Sequence, residues 1–138
     1  EPQLEALLKE DPKVRLVLKE FPILGPDSLL ASRAAIAARA QGKYQAMHDA
    51  LMQARGKFDE PVITQIAKEV GLDAEKLKTD MADPKVDATI RTNHALAEAL
   101  GINGTPGFIV GDALVPGATD LEKFRLLVKE ARSGCVSC

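Results

Sequence analysis

From Asp27 to about Leu100 the chain carries a single kind of signal, and it is helical. The first helix runs from Asp27 or Ser28 to Ala40 and is rich in alanine. Gly42 separates it from a second, in which Tyr44, Met47 and Leu51 share a face. Gly56 ends that helix, and Asp59 caps a third, with Pro61 in its first turn and Ile63, Ile66 and Val70 inward. Gly71 closes the third. Asp73 caps a short fourth carrying Leu77 and Met81. Asp83 and Pro84 open a fifth, whose stripe is Val86, Ile90, Ala97 and Leu100, and Gly101 stops it. So long a helical block excludes an all-β fold. Whatever strands exist must flank it.

The flanks are different in kind. Residues 2–10 read as a helix, with Leu4, Leu7 and Leu8 on one face and Pro2 in the first turn. Asp11-Pro12 stops it. K-V-R-L-V-L-K follows, and its period-two alternation of Val14, Leu16 and Leu18 predicts a strand. Beyond the helical block, G-I-N-G-T-P is a turn-rich loop. G-F-I-V and A-L-V, joined by Gly111-Asp112, predict a hairpin. A last amphipathic helix follows, capped by Thr119, with Leu121, Phe124, Val128 and Ala131 on one face. A strand that reaches a hairpin through a long helical crossover predicts an α/β fold, a mixed sheet covered by helices.

Composition narrows the function. The 138 residues suit one domain with a real core, and 46% apolar content excludes a disordered chain. Lys and Arg number 18 against 20 Asp and Glu, a net charge of −2 with both signs interspersed, so no nucleic-acid partner is expected. The apolar runs are far shorter than a membrane span. No signal peptide is visible, and Glu1 reads as a cut or processed end. The two cysteines, Cys135 and Cys138, form a Cys-x-x-Cys in the tail S-G-C-V-S-C. Two cysteines build no disulfide framework and leave the compartment open.

Three stretches carry a family resemblance. K-E-F-P-I-L-G-P-D-S (residues 19–28) resembles the strand exit of the bacterial extracytoplasmic DsbA-like disulfide oxidoreductases. A-L-G-I-N-G-T-P-G-F-I-V-G-D resembles that family's cis-proline loop and following strand, and V-P-G-A with the final helix completes the match. The resemblance covers roughly residues 1–132. It implies a thioredoxin-like mixed sheet formed by 1–26 and 101–138, with 27–100 as an all-helical insertion. It also implies a site outside the cytoplasm, in the periplasm or an equivalent space. The family places its Cys-x-x-Cys at the start of the helix that is 2–10 here, so the equivalent strand and cysteines would lie upstream of Glu1. A sheet without that strand is expected to be unstable alone, or to borrow a strand from a second copy in a domain-swapped homodimer.

Each motif has a plain reading beside the functional one. From the residues alone, Thr105-Pro106 is a loop proline entering a strand, where it costs no ladder hydrogen bond. The resemblance implies a cis bond and a substrate-binding role for Gly104, Thr105 and Pro106: the Thr105 main chain would pair with an extended peptide. A catalytic role for Cys135 and Cys138 needs a stabilised thiolate, and a helix C-terminus has the wrong dipole for one. In the implied fold the last helix also runs about 20 Å from the active-site end. The six-residue tail spans about 20 Å only when fully extended. Cys135 and Cys138 remain the catalytic candidates because they are the thiols present. A prenylation signal fails on Ser137 and Cys138, and a zinc site would need two ligands beyond the cysteines, for which only His48 and His94 are available, on separate helices. Both histidines read as packing or surface residues, with no carboxylate partner evident.

The resemblance therefore implies thiol–disulfide exchange on extended or unfolded protein substrates that contain cysteines, with no cofactor and no metal. A membrane partner would recharge the enzyme. The alternative is a redox-inactive, thioredoxin-fold peptide-binding module.

Overall fold

The structure is a computed structural model that describes residues 2–134. Seven α-helices and one hairpin follow in order. They are α1 (Pro2–Glu10), α2 (Pro26–Ala37) continued by a 3-10 turn (Ala38–Gln41), α3 (Tyr44–Gln53), α4 (Glu60–Glu69), α5 (Ala74–Met81), α6 (Pro84–Ala99), β1 (Gly107–Val110), β2 (Ala113–Pro116) and α7 (Leu121–Ser133). They divide into two compact units. One is formed by the described residues of Glu1–Leu18 and Gly101–Cys138, the other by Lys19–Leu100.

In the Lys19–Leu100 unit, α2 is the centre. Ala34, Ala35, Ile36, Ala37 and Ala38 are all buried, and α2 packs against α3, α5 and α6. A helix apolar on every side has to be surrounded, and alanine lets its neighbours approach closely. Met47 and Leu51 of α3, Ile63, Ile66 and Ala67 of α4, Leu77 of α5, and Val86 and Ile90 of α6 complete the core. The caps fall where the aspartates predict. Asp59 accepts from the Val62 N–H at 3.0 Å, Asp73 from Lys76 at 2.9 Å and Asp83 from Lys85 at 2.8 Å.

In the other unit, α1 packs on α7, and α7 on β1. Leu7, Phe124 and Leu127 are its buried apolar side chains among the described residues. The Phe124 ring meets Phe108 of β1 edge-on, with centroids 5.0 Å apart at 85°. Arg125 binds both carboxylate oxygens of Glu10, at 3.0 and 2.6 Å. Arg132 binds Asp11 in the same forked way. The hairpin pairs Val110 with Ala113 across the two-residue loop Gly111-Asp112. Gly111 has φ 59° and no described non-glycine residue has positive φ, as in a type II′ turn, which needs glycine at its first central position. A Cβ on Gly111 would lie 2.8 Å from the Ala131 Cβ, so this glycine also sets how closely the turn approaches α7.

The structure corrects three expectations. K-V-R-L-V-L-K is not a strand, and the described sheet is the antiparallel hairpin β1–β2 alone, not a mixed sheet. Val14, Leu16 and Leu18 are half-buried while Arg15, Val17 and Lys19 are exposed, so the alternation is real. A strand also requires a ladder partner, and Arg15 to Leu18 make no main-chain hydrogen bond to any described residue. The N-cap of α7 is Asp120, not Thr119: its carboxylate accepts from the Lys123 N–H at 2.7 Å. Finally, α2 tightens into a 3-10 turn after Ala37 and does not run to Ala40; Gly42, at φ 68°, closes it.

Candidate functional site

The loop before β1 brings Gly104, Thr105 and Pro106 together on the surface, all three exposed. The Thr105–Pro106 peptide bond is cis. The Gly117 N–H donates to the Pro106 carbonyl at 2.8 Å, which extends the hairpin ladder by one rung. Pro106 has no N–H to return, so the ladder stops there. Pairing parity follows from the register. Phe108 and Val110 direct their main-chain groups at β2, whereas Gly107 and Ile109 direct theirs to the opposite edge. Neither the N–H nor the C=O of Thr105 meets a partner among the described residues. The outer edge of β2 is blunted by Pro116, which offers no N–H, so the open edge belongs to β1. A Cβ on Gly104 would meet nothing within 4 Å, and its φ is ordinary. A side chain at residue 104 would stand in open space next to Thr105 in the chain. Such a loop can take one strand of extended peptide through main-chain hydrogen bonds.

Cys135 and Cys138 lie outside the described residues.

A second polar cluster lies within the Lys19–Leu100 unit, and sequence reasoning passed over it. The Glu20 carboxylate accepts from the Tyr44 hydroxyl at 2.8 Å, lies 2.8 Å from His48 Nδ1, and accepts from the Ser32 hydroxyl at 3.4 Å. Its own carbonyl accepts from the Asn93 amide at 2.8 Å. His48 thus has the carboxylate partner that the sequence did not reveal. His94 packs edge-on against Phe21, with centroids at 4.8 Å. Burial pushes the Glu20 carboxyl up, but the hydrogen bonds from His48 and Tyr44 outweigh it and hold it below the usual glutamate value. Burial and the facing Glu20 charge push the Tyr44 phenol up, which keeps it a neutral donor. One signal was available. Glu20 continues the inward parity of Val14, Leu16 and Leu18, so a charge stands where an apolar residue is expected. No group of three or more His, Cys, Asp or Glu among the described residues is placed to hold a metal.

Comparison with known proteins gives the family of the chain. Residues 1–129 match the DSBA-like thioredoxin domain. The chain belongs to that family. A thioredoxin-like oxidoreductase from Silicibacter pomeroyi DSS-3 is 50% identical, with a TM-score of 0.93 over 97% of this chain and 78% of that one. The thiol-disulfide exchange protein alpha-DsbA2 from Wolbachia pipientis is 32% identical, with a TM-score of 0.86 over 94% of this chain and 71% of that one. A periplasmic thioredoxin-like protein from Salmonella enterica serovar Typhimurium is 34% identical, with a TM-score of 0.84 over 96% of this chain and 75% of that one. Among curated relatives the match extends to Na(+)/H(+) antiporters, for example one from Salinispora arenicola that is 27% identical. The DsbA-like chain covers 97% of itself in that match but 21% of the antiporter's length. No described helix is long and apolar enough to cross a membrane.

Proposed function

We propose that this DsbA-like chain presents extended or unfolded protein substrates for thiol–disulfide exchange outside the cytoplasm. The observation that carries this reading is the exposed Gly104–Thr105–Pro106 loop, whose unpartnered Thr105 main chain stands in a chain of this family. The similar Salmonella protein is periplasmic, which supports the compartment.

In the exchange itself, a thiolate attacks one sulfur of a substrate disulfide. A mixed disulfide forms and the other substrate sulfur leaves as thiolate. The second thiol of the pair, once deprotonated, attacks the mixed disulfide. The substrate leaves as a dithiol, and the protein retains the disulfide. Run backwards, the same steps oxidise a substrate dithiol. Any exchange that this chain performs by itself has to use Cys135 and Cys138, the two cysteines of its sequence.

Gly104→Val tests the presentation role, because the fold has room for the side chain and an approaching peptide does not. Wild type should bind an extended peptide whose cysteine is replaced by serine. G104V should bind it roughly tenfold more weakly or worse, the loss expected for main-chain hydrogen bonds that no longer form. Its melting temperature should stay that of wild type. C135S with C138S should abolish insulin reduction and leave peptide binding intact. Peptide binding without exchange in wild type would favour the redox-inactive module. Binding that is absent, or indifferent to G104V, would remove the loop from the reading.

A further inference from the structure

We propose that Glu20 is a proton-sensitive clasp: its carboxylate ties the irregular segment 19–24 to α2 and α3, and a proton added to it releases that segment. Segment 19–24 lies between the alternating stretch and α2, and has no helix or strand of its own. None of its amides donates a main-chain hydrogen bond to a described residue. Its fastening is therefore concentrated in two residues, Glu20 and Phe21. Glu20 reaches Ser32 on α2 and Tyr44 and His48 on α3, while its carbonyl takes Asn93 of α6. Phe21 rests on His94, also of α6. Beyond these residues, Ile23 is 39% and Leu24 79% exposed, so the clasp holds an apolar turn out in water.

The chemistry of the carboxylate makes this fastening conditional on charge. An ionised carboxylate only accepts. Oε1 is shared by Tyr44 and His48, and Oε2 faces Ser32. The charged group behind Tyr44 is Arg39 of the 3-10 turn, whose guanidinium stacks 4.7 Å from the ring centroid. Ser32 on α2 and Asn93 on α6 are neutral. A proton on Oε1 would face two donors. On Oε2 it would force the Ser32 hydroxyl to turn round. Either way the charge-assisted bonds to α3 become ordinary ones, roughly half as strong. The folded-state pKa is lowered, so the stabilisation is complete above the ordinary glutamate value of 4.5 and is lost as pH falls through the lower folded value. The clasp stays shut in mild acid and opens below it.

Tyr44 is the sole tyrosine of a chain without tryptophan, so its ultraviolet absorbance reports on this cluster alone. Wild type titrated from pH 7 to pH 3 should show one Tyr44 absorbance step below pH 4.5, while the helical circular dichroism signal holds. Over the same step the amide heteronuclear NOE of Ile23 and Leu24 should fall to values typical of mobile chain. Glu20→Gln, which imitates the neutral form, should lack the Tyr44 step and show the low NOE already at pH 7. The wild-type test stands without the variant: the Glu20 carboxyl carbon resonance must titrate with the same midpoint as the NOE. Three results would overturn the clasp: mismatched midpoints, an unchanged step in Glu20→Gln, or a step that coincides with loss of helix.

Discussion

The two units reach order by different routes. In the Lys19–Leu100 unit every helix contributes to one contiguous core, and each aspartate cap is a local event within four residues. The unit with the hairpin buries Leu7, Phe124 and Leu127, while Val17, Ile109, Leu114 and Leu126 stay between 44% and 57% exposed. Among the described residues it relies on one aromatic contact, the close glycines Gly107 and Gly111, and two forked ion pairs that join residues more than a hundred positions apart. The first unit is therefore held by redundant packing, the second by a few contacts that cannot substitute for one another. The loop proposed to present substrate belongs to the second.

That contrast predicts where damage stays local. Phe124→Ala removes the ring that joins α7 to Phe108 and should cost about 3–5 kcal/mol, and Leu77→Ala in the helical core about 2–5 kcal/mol. Whole domains have about 5–15 kcal/mol of stability, so the first change is enough to open its unit. Hydrogen exchange should show Phe124→Ala stripping protection from 107–116 and sparing 60–81, with Leu77→Ala doing the reverse. If either variant strips both regions equally, the contrast between the units is wrong.

The same contrast explains how much of the molecule was legible in the sequence. Asp59, Asp73 and Asp83 cap helices through bonds spanning two or three residues, so residue type and spacing suffice to place them. The hairpin turn was legible for the same reason, because Gly111-Asp112 is a two-residue event. K-V-R-L-V-L-K failed as a strand because alternation reports which side is buried, whereas a strand also depends on a distant partner. Thr119 lost the α7 cap to Asp120 by one residue, since both types cap and only geometry selects between them. Glu20 and His48 are 28 positions apart, and no local pattern joins them. Their one trace was a charge at an inward-facing position. In the candidate site, exposure of the Gly104–Thr105–Pro106 loop fits its turn-rich composition. That the Thr105 main chain has no partner among the described residues emerges only from the structure.

A smaller effect separates the two glycines that flank β1. Gly111→Ala has to adopt φ near 59° and place a Cβ 2.8 Å from that of Ala131. Left-handed backbone and close contact together should cost about 1–3 kcal/mol. Gly104→Val meets open space at ordinary φ and should change stability by less than about 0.5 kcal/mol. Chemical denaturation followed on hairpin amides measures both. Equal costs would mean that the approach of the turn to α7 is not the constraint it looks to be.

The smallest effect concerns charge, and it contrasts the exposed pairs of one unit with the enclosed carboxylate of the other. Hydrogen bonds from Arg125 and Arg132 lower the carboxyl pKa values of Glu10 and Asp11. Groups lowered in this way stabilise the folded state above their unfolded values and lose that contribution as pH falls through the folded ones. Both units should therefore weaken in acid, by different mechanisms. The arginine pairs stand in water, so 0.5 M salt, with a Debye length of roughly 4 Å, should screen them and flatten the acid dependence of α7 amide exchange. Arg125→Gln with Arg132→Gln should flatten it in the same way at low salt. Glu20 lies among Tyr44, His48 and Ser32 with its side chain 13% exposed, where mobile ions do not reach. Its titration midpoint, followed through Tyr44, should hardly move between low and high salt. A midpoint that shifts with salt as strongly as α7 exchange does would mean that water reaches Glu20, and that the carboxylate is no better sealed than the arginine pairs of α7.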